Sequence, residues 1–175
     1  MNSFNIILST NLNYQKNAET EIWFLLSMLG DQNPLIMHSS IDGIMLVNTF
    51  LNPIHVIHKL RKMLKKDKNL MNFIMKLVPI ERVVETNLDL INLAVKDTLK
   101  LKKKITRKGT YAIQIKKRSS DLTKKEIIDY ITEGINFKVN LENPKWVIRI
   151  EIIGNITGVS ILENNDILYV VQEKR

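Results

Sequence analysis

The sequence predicts an α/β chain in two modules: a ferredoxin-like β-α-β-β-α-β unit over residues 1–79 and a strand-rich α+β unit over residues 80–175. Three observations carry this. Short apolar runs alternate with amphipathic helical stripes in the β-α-β-β-α-β order through the first half. Two apolar runs, Trp146–Ile153 and Ile156–Leu162, are split by Gly154-Asn155, a strong signal for a two-residue hairpin. Glycine and proline are scarce, 6 and 4 of 175 residues, so neither half reads as linker or disordered chain.

Taken in order, Phe4–Leu8 is the first strand. The helix after it is predicted to be capped by Asn17 and stopped by Gly30, with Ile22, Leu25, Leu26 and Leu29 as its apolar stripe. Leu35–Ser39 and Gly43–Val47 form a hairpin around Asp42-Gly43. Asn52 caps the second helix, and Pro53 takes the first helical position, where its missing N–H does no harm. Ile54, Ile57, Leu60 and Leu64 then face inward, and Lys59, Lys62, Lys65 and Lys66 lie largely outside that stripe. Phe73–Val78 completes the module, and the boundary falls near residue 80.

In the second half, Asn87 begins a helix whose inner face uses Leu88, Ile91, Val95 and Leu99 and which runs out in Lys102-Lys103-Lys104. Gly109 punctuates, and Tyr111, Ile113 and Ile115 alternate as a strand. Thr123 with Glu126 three residues on is a capping-box signature for a third helix, whose core side is Ile127, Ile128 and Ile131. The two strands of the hairpin follow Pro144, and Ile167–Val171 reads as a last strand of this module.

Composition narrows the function. The chain has no cysteine, which excludes a disulfide framework, a thiolate zinc site and a cysteine nucleophile. The first residues lack the basic n-region of a signal peptide, and no apolar run nears the roughly 20 residues that span a bilayer. A cytoplasmic protein without a membrane partner is expected. Asn155-Ile156-Thr157 matches a glycosylation sequon, a chance match in an unsecreted chain.

Charge is the feature that points to a partner. Residues 101–125 hold ten bases against Asp121, and residues 52–70 hold six against Asp67, in a chain of net charge +8, so the rest is net acidic. Segregated positive charge is the footprint of a polyanion, most often nucleic acid. Lysine dominates arginine among the 26 bases, which suits backbone recognition over base readout. The strongest candidate runs through Lys116, Lys117, Arg118, Ser119, Lys124 and Lys125, from a strand's carboxyl end into a helix N-terminus, where ligands and phosphates bind. Lys124 and Lys125 in a first turn oppose the helix dipole at about 0.3–1 kcal/mol each, a misplacement an anionic ligand would explain. A solvated loop is the bland alternative. Lys102, Lys103 and Lys104 suit a helix C-terminus in any case, whereas Arg107 and Lys108 are not explained that way. The lysines of the second helix read first as a solvated face.

Catalytic patterns are not visible. His55 and His58 share a helix face without a carboxylate at ligand spacing, so no metal or other cofactor is expected. Gly154-x-x-x-Gly158 lacks the lysine and following helix of a phosphate loop. Trp23 and Trp146 read as core, and Arg149 and Glu151 share a strand face and can pair.

Lys138-Val139-Asn140-Leu141-Glu142-Asn143-Pro144-Lys145-Trp146, continuing through Ile153-Gly154 to Gly158-Val159-Ser160, resembles a THUMP domain: an apolar-x-Leu run, a proline, an alternating strand and a hairpin ending in Gly-Val-Ser. Tyr111–Lys117, ending in Arg118, resembles that family's central strand with its basic exit, and Val78–Arg82 resembles the lead into its first helix. The resemblance covers about residues 78–173. It implies a tRNA-binding module that, with its ferredoxin-like neighbour, grips the acceptor stem and 3′ end and positions a catalytic domain such as a methyltransferase, thiouridine synthase, pseudouridine synthase or deaminase. No such domain is expected in this sequence. The resemblance therefore implies a non-catalytic adaptor, similar to the stand-alone THUMP proteins that assist the tRNA cytidine acetyltransferase, with Arg118 and the strand exit as RNA contacts. A subunit of another tRNA modification system, or a protein scaffold, stays open.

Overall fold

The computed structural model describes residues 3–102 and 109–175. The chain divides into two compact units, one running to Ile80 and regaining Asn165–Arg175, the other Glu81–Asn164.

The first unit is a ferredoxin-like plait. Strands β1 (Ile6–Thr10), β2 (Leu35–His38), β3 (Ile44–Asn48) and β4 (Ile74–Pro79) and helices α1 (Gln15–Met28) and α2 (Pro53–Lys66) follow the predicted order. The sheet runs β4-β1-β3-β2, all antiparallel, with β10 (Leu168–Tyr169) added outside β4. Its core joins Ile6, Leu8, Met45 and Leu77 of the sheet to Ile22, Leu25, Ile57 and Leu60 of the helices. Asn52 caps α2 as expected, its side chain accepting the His55 N–H at 3.0 Å.

Helix α1 departs from expectation at its start. A short 3₁₀ turn, Leu12–Tyr14, precedes it, with Asn11 capping that turn by accepting the Asn13 N–H; α1 itself starts after Tyr14 with no side-chain cap, and Asn17 lies inside its first turn. At the other end Gly30 does stop the helix: its φ is +109°, its N–H reaches the Ser27 carbonyl, and the Asp31 N–H reaches Leu26. That pair of bonds is a Schellman motif, which needs the left-handed residue glycine supplies. Trp23, expected in the core, is 45 % exposed, because the apolar run Ile22–Leu26 wraps beyond the buried face of the helix.

The C-terminal segment also corrects the reading. Leu168 and Tyr169 pair with Leu77 and Lys76 of β4, and Val170–Glu173 is a short helix, α5. Arg61 of α2 anchors it, donating to the Ile167 carbonyl at 2.7 Å and pairing with Glu173 at 2.6 Å, while His58 meets Asp166 at 2.8 Å. The segment thus completes the first unit, although sequence order placed it in the second.

The second unit is a five-stranded mixed sheet, β5 (Arg82–Glu85), β9 (Ile156–Leu162), β8 (Trp146–Ile153), β6 (Thr110–Arg118) and β7 (Lys138–Val139) in spatial order. Strand β6 is parallel to β7 and β8, and the remaining pairs are antiparallel. Helices α3 (Leu88–Leu101) and α4 (Lys124–Thr132) pack on one face, where Ile91, Val95, Ile127 and Ile131 meet Tyr111, Ile148, Ile150 and Val159. Ile128, expected inward, is 37 % exposed. Strand β5 has no counterpart in the predicted elements.

The other face of this sheet carries polar residues. Register places Gln114 beside Arg149 and Lys116 beside Glu151. Glu151 is fully buried, and its carboxylate accepts from Arg118 Nη1 at 2.8 Å and from Arg149 Nε and Nη2 at 2.8 and 2.6 Å. Arg149 also donates to Gln114 at 2.9 Å. The expected Arg149–Glu151 pair is therefore one side of a buried triad.

Two predictions follow from these contacts. Glu151→Ala leaves two mostly buried guanidiniums without their shared counter-charge, and urea unfolding should register a loss of about 3–5 kcal/mol; a loss well under 1 kcal/mol would contradict the triad's role. At α4, Thr123 and Glu126 form the predicted capping box. Hydrogen bonds from the Thr123 hydroxyl and N–H, with the charge of Lys117 nearby, hold the Glu126 carboxyl below its ordinary range. A lowered folded value means the cap's contribution is complete above the unfolded carboxylate range and is lost as pH falls through the lowered value. Glu126→Gln should accordingly flatten the acid limb of the stability–pH curve relative to wild type, and an unaltered limb would refute this.

Candidate nucleic-acid interface

The basic strand exit is built by β6, the loop after it and the first turn of α4. Its backbone is fixed from the side by the β8–β9 hairpin: the Gly154 N–H donates to the Arg118 carbonyl at 2.9 Å. Gly154 has φ +59°, the left-handed value this two-residue turn requires. Immediately beyond, Ser119 has φ +53°, an uncommon conformation for a residue with a side chain, and the chain swings from the sheet toward α4. Thr86 braces the same hairpin, its N–H on the Asn155 carbonyl and its hydroxyl on that of Gly154.

Strand alternation splits the basic residues of β6. Lys116 and Arg118 lie on the polar face and Lys117 on the helix side. Lys116 is exposed. Arg118 is not available in the same way, because its guanidinium is 15 % exposed and held by Glu151. Lys117 turns its ammonium onto the Ser120 carbonyl at 2.9 Å, closing the loop. Ser119 is exposed, and Lys124 and Lys125 are exposed in the first turn of α4.

Ser119 opens onto a cleft of about 570 Å³, which it lines with Thr86, Ser120, Asp121, Glu126 and Asn155. Its position, at the carboxyl ends of the parallel strands, is where ligands sit in such sheets. Its charge is not what the sequence suggested. Glu126 occupies the start of α4, accepting the Thr123 N–H at 2.8 Å, so the helix N-terminus is already capped by a carboxylate. The cleft itself carries two acids, Asp121 and Glu126, and among the described residues no lysine lines it.

Of the second basic group, Lys102 is among the described residues. Lys102 pairs with Glu81 at 2.9 Å and donates to the Ile161 carbonyl, so it pins the end of α3 to β9. Lys103, Lys104, Arg107 and Lys108 lie outside the described residues. Sequence reasoning anticipated Arg149–Glu151 but missed the pairings of Arg118 with Glu151 and of Lys102 with Glu81, since in each the carboxylate is distant in the chain from that base. Among the described residues, no group of three or more His, Asp or Glu could hold a metal, and no helix is long and apolar enough to cross a membrane.

Comparison with known proteins bears on this unit directly. The THUMP domain family model matches residues 85–162. No curated protein sequence matches the chain. Among solved structures, PH1313 from Pyrococcus horikoshii is similar at TM-score 0.69 and 19 % identity, over 92 % of this chain and 55 % of that one. TrmN from Thermus thermophilus is similar at TM-score 0.58 and 11 % identity, over 91 % and 45 %. A 4-thiouridine synthetase, solved as an RNA complex with bound ATP, is similar at TM-score 0.55 and 15 % identity, over 92 % and 42 %. At these identities the likeness is one of fold, and the chain spans about half the length of the proteins it matches. The match begins within β5 and ends with β9, short of the 78–173 span of the sequence resemblance, in accord with the return of the C-terminal segment to the first unit. Residues 85–162 thus match the THUMP domain family model, in one chain with a ferredoxin-like unit.

Proposed function

We propose that this chain is a non-catalytic tRNA-binding adaptor that recognises the acceptor stem and 3′ end and presents tRNA to a separate modification enzyme, an RNA cytidine acetyltransferase forming N4-acetylcytidine. The observation that carries the RNA part is the THUMP match over the unit that bears the basic strand exit. The 4-thiouridine synthetase with the same fold was solved with RNA, which supports that reading. This chain corresponds to 42 % of that protein, so the larger part of the synthetase lies outside the shared fold. In the adaptor reading, this chain supplies tRNA handling and a second polypeptide supplies the chemistry. The choice of an acetyltransferase rests on the resemblance of the sequence to stand-alone THUMP proteins. A thiolation or methylation enzyme is the second reading, and the thiouridine synthetase neighbour favours it.

At the strand exit, Lys116, Lys124 and Lys125 are the exposed cations proposed to neutralise phosphates. Lys117, Arg118 and Lys102 position the scaffold through Ser120, Glu151 and Glu81. Ser119 presents its hydroxyl at the turn.

The triple variant Lys116→Glu, Lys124→Glu, Lys125→Glu should keep the fold and lose tRNA affinity. Its log–log salt slope should be shallower than wild type by about 2–3, since each duplex phosphate contact contributes about 0.9. A wild-type slope in this variant would remove the site assignment. For the partner, tRNA from cells lacking the chain should lose N4-acetylcytidine. Intact N4-acetylcytidine with depleted 4-thiouridine or methylated nucleosides would transfer the adaptor to the second reading.

A further inference from the structure

We infer that the outer face of α2 in the ferredoxin-like unit is a second phosphate-binding track, taking the backbone of a double-helical RNA segment. The inference rests on the tRNA-binding reading and adds a site outside the THUMP domain.

The face is built by helical spacing. His55, Lys59, Lys62 and Lys66 follow i, i+4, i+7, i+11, which aligns them in one row about 16 Å long. Lys65 lies in the adjacent row. All of these residues are exposed, while Val56, Ile57, Leu60 and Leu64 are buried on the opposite side. Lys59, Lys62 and Lys66 therefore offer a cation roughly every 5 Å along the row, against one phosphate about every 3.4 Å along a strand of duplex.

The arrangement is not that of a face tuned for stability. Helix α2 contains no Asp or Glu, and Lys59–Lys62, Lys62–Lys65 and Lys62–Lys66 are like-charge neighbours that oppose helix formation. Lys65 and Lys66 suit the C-terminal end of the helix dipole, but Lys59 and Lys62 lie in mid-helix and gain nothing from it. None of the four lysines forms an ion pair among the described residues. Asp166 and Glu173, which meet α2, are engaged with His58 and Arg61, and Asp67 at its C-terminal end accepts the Asn69 N–H. Arg61, the one arginine of α2, is turned away to anchor the C-terminal segment, so the outer face is read by lysine alone. Lysines without arginine suit a backbone of phosphates rather than the bidentate recognition of an acidic peptide.

The test is a salt titration of unfractionated-tRNA binding by the full chain and by Lys59→Gln, Lys62→Gln, Lys66→Gln. These side chains are exposed and the glutamines are good helix formers, so an unaltered melting curve checks the fold. The expected result is a slope shallower by about 2–3, on top of and independent of the strand-exit variant. A wild-type slope in the glutamine variant overturns the inference while leaving the tRNA-binding reading intact. Wild-type slope combined with loss of a co-purifying protein would reassign the face to protein docking, and also overturns it. Absence of tRNA binding by the wild-type chain would fell the underlying reading instead.

Discussion

Glu151 is the point on which the second unit turns. It lies in the central strand β8, fully buried, between a guanidinium from its own strand and one from the parallel neighbour β6. A carboxylate in that position is costly without partners, as are two mostly buried guanidiniums, and the hydrogen-bonded triad offsets both costs. The pairing ties the end of β6 to β8. The hairpin after β8 then holds the Arg118 carbonyl, and the chain leaves the sheet through the left-handed Ser119. The point where the basic strand leaves the sheet is therefore tied down by buried charge on the polar face, while α3 and α4 supply the apolar packing on the other face.

This separates two kinds of basic residue that a sequence lists together. Arg118 and Lys102 are internal anchors, each on a specific carboxylate. Lys116, Lys124 and Lys125 are exposed, and the row on α2 is exposed throughout. Buried cations specify geometry; exposed, unpaired cations supply long-range attraction that salt screens.

Local chemistry was legible in the sequence, and non-local pairing was not. Asn52-Pro53, Thr123 with Glu126, and Gly154-Asn155 each announce an element because the deciding atoms lie within a few residues of one another, and all three are formed. The THUMP resemblance at Val139–Ser160 falls within the matched span. The start of α1 was misread because the 3₁₀ turn, capped by Asn11, leads straight into the helix at Gln15, so that Asn17 falls inside the first turn and α1 needs no asparagine cap of its own. Strand β5 was missed since Arg82-Val83-Val84-Glu85 is a short edge with charged ends, visible only through its pairing with β9. The apolar run at Leu168 fits either sheet, and Arg61, more than 100 residues earlier, supports its place in the first. Within the candidate site the basic exit was legible, while Glu126 at the helix start and Glu151 under Arg118 changed what those bases can do.

The measurement that bears most directly on the central claim is the affinity of the purified wild-type chain for unfractionated tRNA between about 50 and 200 mM salt. Exposed lysines neutralising several phosphates predict tight binding at low salt and a linear log–log decline with a slope of several units. No binding at low salt, or binding that salt does not weaken, would contradict it.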